Sequence, residues 1–180
     1  NVTAELLQSL DGAMITGCDL NTSLEDMERL TELTPHVLAA VGRPLDASAA
    51  TAHGTLGAVE AVLEAELKDA TPGRALVHGC GAVGGTVART LVEHGWTVFT
   101  VDLSRERAGF PGATPLPQGC PWWELKLDLL LPCSISGLIN AEMASALRVT
   151  SVVPAANAPF QSPQLADALR QRGIRVLPDP

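Results

Sequence analysis

The stretch from Arg74 to Asp102 leaves this chain few folds to choose from. Ala75-Leu76-Val77-His78-Gly79 is a short apolar run of the kind that makes a buried strand, and it runs directly into the string Gly79-Cys80-Gly81-Ala82-Val83-Gly84. Behind the string, Val83, Val87 and Leu91 recur every four residues, as on one face of a helix, and Gly95 stands where a helix C-terminal cap belongs. Val98-Phe99-Thr100-Val101 then makes a second strand that ends on Asp102, 23 positions after Gly79. Three glycines in register are a weak signal alone. Strand, glycine turn, helix, strand and acid in that order make a βαβ unit.

Each part of the unit has a physical reason to bind a dinucleotide. Gly79 allows a tight turn from strand to helix, Gly81 leaves room for a pyrophosphate against the backbone, and Gly84 lets the helix pack closely on the sheet. The amides of Ala82 and Val83 open the helix, where unpaired N–H groups and the helix dipole favour an anion. Asp102, with Leu103 beside it, stands where a carboxylate accepts the ribose hydroxyls of adenosine. That charge favours NAD over NADP, although Arg105 and Arg107 just beyond could meet a 2′-phosphate.

The rest of the chain reads in the same rhythm. Residues 13–18 are a candidate strand, and Ser23 with Asp26 forms a capping box for a helix to about Leu33, stopped by Thr34-Pro35. Residues 36–48 read as loop. A helix from about Ala49 to Lys68 carries Leu56, Val59, Leu63 and Leu67 on one face, and Thr71-Pro72-Gly73 breaks it. Residues 110–121, from Phe110-Pro111-Gly112 through Gly119-Cys120-Pro121, are proline- and glycine-rich ground. Strands follow at Leu125 to Leu131, near Thr150 to Val153 and at Ile174 to Leu177. Between them lie a helix capped by Asn140 and one opened by Ser162-Pro163 and closed by Gly173. Helices alternating with apolar strands predict an α/β fold, a Rossmann-type doubly wound parallel sheet in a single domain.

Composition narrows the partners. The net charge of −8 argues against nucleic acid or an anionic membrane, which both demand basic surface. Cys18, Cys80, Cys120 and Cys133 lie at no metal-finger spacing and read as separate thiols in a reducing compartment, with no metal site. No apolar run nears the ~20 residues of a membrane span and no basic-then-apolar leader is present, so a cytoplasmic protein is expected. The chain opens on Asn1-Val2-Thr3 without a Met and stops at Leu177-Pro178-Asp179-Pro180, which suggests a piece of something longer.

Five patches in order carry a resemblance over nearly the whole chain. They are Ile15-Thr16-Gly17-Cys18-Asp19-Leu20-Asn21-Thr22, Thr51-Ala52-His53-Gly54, the glycine loop with Asp102, Leu131-Pro132-Cys133-Ser134 with Gly137-Leu138-Ile139-Asn140, and Ala155-Ala156-Asn157 followed by Gly173-Ile174 and Pro178-Asp179. With these, the chain resembles the second half of the glutamate, leucine, phenylalanine and valine dehydrogenases, especially the bacterial leucine, valine and tryptophan enzymes. The resemblance implies oxidative deamination of an apolar L-amino acid to a 2-oxo acid and ammonia, with NAD as the oxidant. It makes Asp19 the catalytic carboxylate, exchanging protons with the substrate amine and the attacking water. On its own, Asp19 reads as a loop or N-cap residue. The resemblance also places Thr51 at the nicotinamide carboxamide, Asn157 beside the nicotinamide ribose and substrate, and Pro132, Cys133 and Ser134 along the nicotinamide half, with Cys133 not a nucleophile.

Residues 1–48 then supply the catalytic-Asp strand, a helix and a connecting loop, and 49–180 the NAD-binding domain. The family's first domain carries two essential lysines that nothing here matches; Lys68 and Lys126 read as solvated surface. The piece alone is therefore expected to bind NAD and turn over nothing, and to be monomeric, since relatives form oligomers largely through the missing half. The amino acid becomes a ligand, and a homo-oligomer the assembly, only in the full-length protein. The rival expectations are a degenerate, non-catalytic relative kept for nucleotide sensing or assembly, and a Rossmann enzyme unrelated to deamination.

Overall fold

A computed structural model describes residues 2–19, 22–38, 47–66 and 72–178. The chain divides into two compact units, Asn1–Ala47 and Ser48–Pro180.

The first unit holds helix α1 (Val2–Ser9), strand β1 (Thr16–Gly17), helix α2 (Leu24–Thr31) and strand β2 (Val37–Leu38). The expected capping box is present: the Ser23 hydroxyl accepts the Asp26 N–H at 3.2 Å and the Asp26 carboxylate accepts the Ser23 N–H at 2.8 Å. Ala4, Leu7 and Leu30 form a small core with Val37 against it. Helix α1 is unexpected from the sequence, and two expectations change here. The candidate strand at 13–18 shortens to two residues. Residues 36–48, read as loop, contain β2, which pairs in parallel with β1 through Thr16 to Val37 and Gly17 to Leu38; residues 39–46 lie outside the described set.

The second unit is built on a six-stranded sheet whose neighbours all run parallel. Its strands are β3 (Arg74–His78), β4 (Thr97–Val101), β5 (Ala113–Pro115), β6 (Lys126–Pro132), β7 (Arg148–Val152) and β8 (Arg175–Val176), in the order β5-β4-β3-β6-β7-β8. Helices α3 (Ala47–Glu66) and α4 (Ala82–Glu93) cover one face. Helices α6 (Ala141–Ala146) and α7 (Pro163–Gln171), with the 3-10 turn Trp122–Glu124, cover the other. Burial on both sides explains the near-continuous leucines of β6: Leu127, Leu129, Leu130 and Leu131 are all buried. The two apolar layers meet at the sheet, with Val77, Val87, Leu91 and Leu129 in one and Leu76, Leu130, Ile139 and Leu169 in the other.

Helix α3 buries Val59 as expected, but the centre of its buried stripe is shifted from the leucines. Ala52, Thr55, Val59 and Val62 face the core, while Leu56 and Leu63 flank it half-buried, and Leu67 and Lys68 lie outside the described residues. The helix starts at Ala47 rather than Ala49. Small side chains sit on the sheet side and the larger leucines on the shoulder, so a count of large apolar residues points to one side of the buried stripe. Residues 104–121 hold the four-residue helix α5 (Arg105–Ala108) and the unexpected edge strand β5. Proline disguises β5; at a sheet edge Pro115 forfeits no ladder hydrogen bond. The Thr100 hydroxyl, buried, donates to the Ala108 carbonyl at 2.8 Å and ties α5 to β4. Among the described residues no helix is long and apolar enough to cross a membrane.

Candidate dinucleotide site

Strand order reverses between β3 and β6, the place where the connections leave toward opposite faces. In open parallel sheets the crevice at the carboxyl ends of such a strand pair is where ligands bind. The glycine loop leaves β3 there, Asp102 follows β4, Pro132-Cys133-Ser134 follows β6, and Asn157 lies beyond β7.

Gly79 has φ of +94°, which only glycine adopts without strain, and an added Cβ would stand 2.7 Å from the Ser134 Cα and Cβ. The turn is therefore pressed against the end of β6. Gly84 is closer still: its Cβ would fall 1.9 Å from the Gly79 carbonyl oxygen and 2.8 Å from the Cys133 Cβ. Gly81 is the opposite case. It is the exposed N-cap of α4, offers no capping side chain, and an added Cβ would meet nothing within 4 Å. The opening amides of α4, on exposed Ala82 and half-buried Val83, thus look into open space. A phosphate fits there, and a capping side chain would have filled the position.

The Asp102 carboxylate does more than the sequence suggests. One oxygen accepts the Cys80 N–H inside the glycine loop at 2.7 Å, and the other accepts the Ser104 N–H at 2.7 Å. Arg107 Nε lies 3.3 Å from the second oxygen. Burial opposes the charge, but the two backbone donors and Arg107 outweigh it and hold the carboxyl below the usual carboxylate value. The acid is a clamp on the loop as well as a candidate partner for ribose. Leu103 beside it is largely exposed, and its carbonyl accepts from the Gln118 amide at 3.0 Å.

Across the crevice, the His78 Nδ1 and the Ser134 hydroxyl form a 2.9 Å hydrogen bond that joins the ends of β3 and β6. The imidazole packs against the Trp122 ring at 5.3 Å. Sequence reading passed over this histidine, although its place directly before Gly79 at a strand end was visible. Burial pushes the His78 pKa below the usual 6.5, against the pull of the Asp102 charge. A base with a depressed folded value takes up fewer protons than the unfolded chain, so its contribution to stability is present above pH 6.5 and is lost as pH falls through the folded value. We expect His78→Gln, which keeps a polar partner for Ser134 without titrating, to flatten the drop in urea midpoint between about pH 7 and about pH 5. An unchanged slope would assign the acid sensitivity elsewhere.

The two cysteines near the loop are no nucleophiles. Burial pushes the Cys80 thiol up to about 11 and the Cys133 thiol up to about 12, so both stay protonated at neutral pH. The Cys133 N–H donates to the His78 carbonyl at 2.8 Å, and the Pro132 carbonyl accepts from Ala155 and Ala156, so the β6 and β7 ends are laced together by backbone. Asn157 is exposed, and its carbonyl accepts the Ser136 hydroxyl at 2.8 Å. Thr51 lies half-buried in the second turn of α3, and the Thr55 hydroxyl donates to its carbonyl at 2.9 Å. Asp19, in the first unit, is exposed beyond β1, and the Thr22 hydroxyl lies 2.7 Å from both its backbone nitrogen and its carbonyl oxygen. Lys126, the one lysine among the described residues, is exposed at the amino-terminal end of β6, the opposite edge of the sheet from the glycine loop.

Known proteins bear on this arrangement. The family model described as glutamate/leucine/phenylalanine/valine dehydrogenase matches residues 102–180. The phenylalanine dehydrogenase of Lysinibacillus sphaericus is 26% identical over 97% of this chain and 49% of its own length. The L-tryptophan dehydrogenase of Nostoc punctiforme is 27% identical over 96% of this chain and 51% of its own. The crystal structure of L-tryptophan dehydrogenase from Nostoc punctiforme superposes with a TM-score of 0.75 at 24% identity, covering 98% of this chain and 52% of that one, which speaks for a shared Rossmann-like fold. The chain spans about half the length of the curated relatives it matches. The chain is thus similar to phenylalanine and tryptophan dehydrogenases along nearly its whole length, and to the glutamate/leucine/phenylalanine/valine dehydrogenase model over residues 102–180.

Proposed function

We propose that this chain is the NAD-binding half of an amino-acid dehydrogenase that deaminates an apolar L-amino acid to a 2-oxo acid and ammonia. The observation that carries the reading is the uncapped amide cradle of α4 over Gly81, set at the reversal of strand order, with Asp102 on one flank and Pro132-Cys133-Ser134 on the other. The Ala82 and Val83 amides receive the pyrophosphate, and Asp102 and Leu103 hold the adenosine. Thr51, Pro132, Cys133, Ser134 and Asn157 hold the nicotinamide half. When bound, the nicotinamide accepts a hydride from the substrate α-carbon. Asp19 exchanges protons with the amine and the attacking water, the work suited to a solvent-reached carboxylate.

With Lys126 at the far edge of the sheet, nothing among the described residues offers an ammonium to a substrate carboxylate. Turnover therefore needs groups supplied by further sequence of the protein, since hydride transfer demands a substrate held against the nicotinamide. The same observation favours a second reading, a nucleotide-binding relative without catalysis.

Calorimetric titration with NAD tests the first claim. Binding is expected, and Asp102→Ala should weaken it by roughly tenfold or more, because a charge-assisted ribose contact and the clamp on the Cys80 N–H go together. No heat of binding would end both readings. NAD binding with no reduction of NAD by Leu, Val, Phe, Trp or Glu in the full-length protein would leave the non-catalytic reading standing.

A further inference from the structure

The turns that follow β6 and β7 are tied together beyond the sheet. The Ala155 and Ala156 N–H groups donate to the Pro132 carbonyl at 2.9 and 3.0 Å, the Gly137 N–H to the Ala158 carbonyl at 2.8 Å, and the Ile139 N–H to the Pro159 carbonyl at 2.9 Å. Ile139 and Phe160 then pair as a parallel bridge. These links join backbone to backbone, so they ask little of the side chains. Asn157, in the middle of the run, is the exception. Its own carbonyl is held by a side chain, the Ser136 hydroxyl, which donates to it at 2.8 Å. The next residue, Ala158, has φ of +43°, a left-handed conformation that strains a residue with a Cβ and persists where the surroundings impose it. The peptide between Asn157 and Ala158 therefore has a reason to turn, and the Ser136 bond, a stabilisation of similar size, opposes it. Asn157 is exposed, and among the described residues nothing hydrogen-bonds its side-chain amide. A short side chain of this kind points where its backbone aims it.

We propose that Ser136 is a positioning residue for the nicotinamide half of the site: its hydroxyl fixes the peptide plane of Asn157 and with it the direction of the Asn157 amide. The assignment rests on the dinucleotide reading above and deepens it, since it names the group that aims one of the contacts there. Ser136 touches neither cofactor nor substrate and acts through Asn157 alone. Without its hydroxyl the Asn157 carbonyl turns to water, the strained peptide relaxes, and the amide leaves hydrogen-bond distance of a ribose hydroxyl. The adenosine and pyrophosphate contacts, after β4 and on α4, stay as they are.

Calorimetry with NAD, and with ADP, which ends at the diphosphate, tests it on the protein and on its Ser136→Ala, Ser136→Thr and Asn157→Ala variants and the double variant Ser136→Ala, Asn157→Ala. Ser136→Ala should weaken NAD about 3- to 10-fold, the weight of one neutral hydrogen bond, and leave ADP within about twofold. Ser136→Thr keeps the hydroxyl and should bind NAD as the parent does. Asn157→Ala should weaken NAD at least as much as Ser136→Ala does. Adding Ser136→Ala to it should cost nothing further, because the residue that Ser136 aims is gone. Equal losses for NAD and ADP in Ser136→Ala would show that the hydroxyl only steadies the fold, and would overturn the assignment. Unchanged NAD affinity in Ser136→Ala, a loss in Ser136→Thr as large as in Ser136→Ala, or losses that add in the double variant would overturn it too. Unchanged NAD affinity in Asn157→Ala would overturn it by taking Asn157 out of the site, while ADP binding kept the α4 cradle. Failure of both NAD and ADP to bind the parent would remove the dinucleotide reading itself.

Discussion

Gly84→Ala is expected to cost the protein on the order of 3 kcal/mol or more, enough to move the thermal midpoint down by several degrees or to prevent folding. The added methyl carbon would stand 1.9 Å from the Gly79 carbonyl oxygen and 2.8 Å from the Cys133 Cβ. Neither neighbour is the loose end of a long side chain. The Gly79 N–H donates to the Val101 carbonyl at 2.7 Å, and the next amide, on Cys80, donates to Asp102, so the turn is held from the β4 side. Cys133 follows β6 and is held by the His78 carbonyl. The only element left to yield is α4, and lifting it pulls Val87, Ala88 and Leu91 from the layer they share with Val77 and Val98. Overpacking that forces backbone apart lies at the upper end of its usual cost, against a total stability of about 5–15 kcal/mol. Urea denaturation gives the answer; a midpoint within about 0.5 kcal/mol of the parent would mean that α4 does not sit this close to the turn.

The parts of the fold visible in the sequence are those where local chemistry and tertiary packing agree. Asn140 caps α6 through the Met143 N–H at 2.8 Å, Ser23 and Asp26 close their box, and Pro163 opens α7, because a cap acts within three residues of itself. The leucines of β6 announce a strand buried on both faces. Where packing alone decides, the sequence is mute or misleading. Helix α3 turns its alanine and threonine side to the sheet, which no count of large apolar residues finds. Strand β5 exists because Val98, Phe99 and Thr100 offer an unpaired edge, not because Ala113-Thr114-Pro115 prefers to be extended. The same division runs through the candidate site. The order of strand, glycines, helix and acid is written locally and could be read. The His78–Ser134 bond joins residues 56 apart, and the Asp102 hold on Cys80 spans 22, so both depend on which strands become neighbours. Arg107 was visible as a charge near a phosphate; its pairing with an inward-turned Asp102 was not.

Gly81→Ala should do the reverse of Gly84→Ala. The free protein is expected to unfold within about 0.5 kcal/mol of the parent, while NAD affinity falls by about 100-fold. Gly81 has φ of −70° and ψ of −159°, extended backbone that alanine adopts, and its added Cβ meets no atom within 4 Å. Nothing in the protein opposes the methyl group. A pyrophosphate does, because it reaches the Ala82 and Val83 amides only by lying against the backbone where Gly81 has no side chain. Pushing it out by a methyl radius stretches charge-assisted hydrogen bonds, each carrying about 1.5–3 kcal/mol, and moves the anion off the positive end of the helix. The two glycines stand three residues apart in one loop and receive the same substitution, so a general sensitivity of the loop would hit both in the same way. If instead Gly81→Ala binds NAD as the parent does, no phosphate lies over that backbone and the α4 cradle is not the site. If it binds weakly and also unfolds early, the space over Gly81 is filled in the folded protein, and the loss of binding says nothing about a ligand. Only an intact fold with lost affinity fits an open amide cradle, and that combination separates a position shaped for a ligand from one shaped for the sheet.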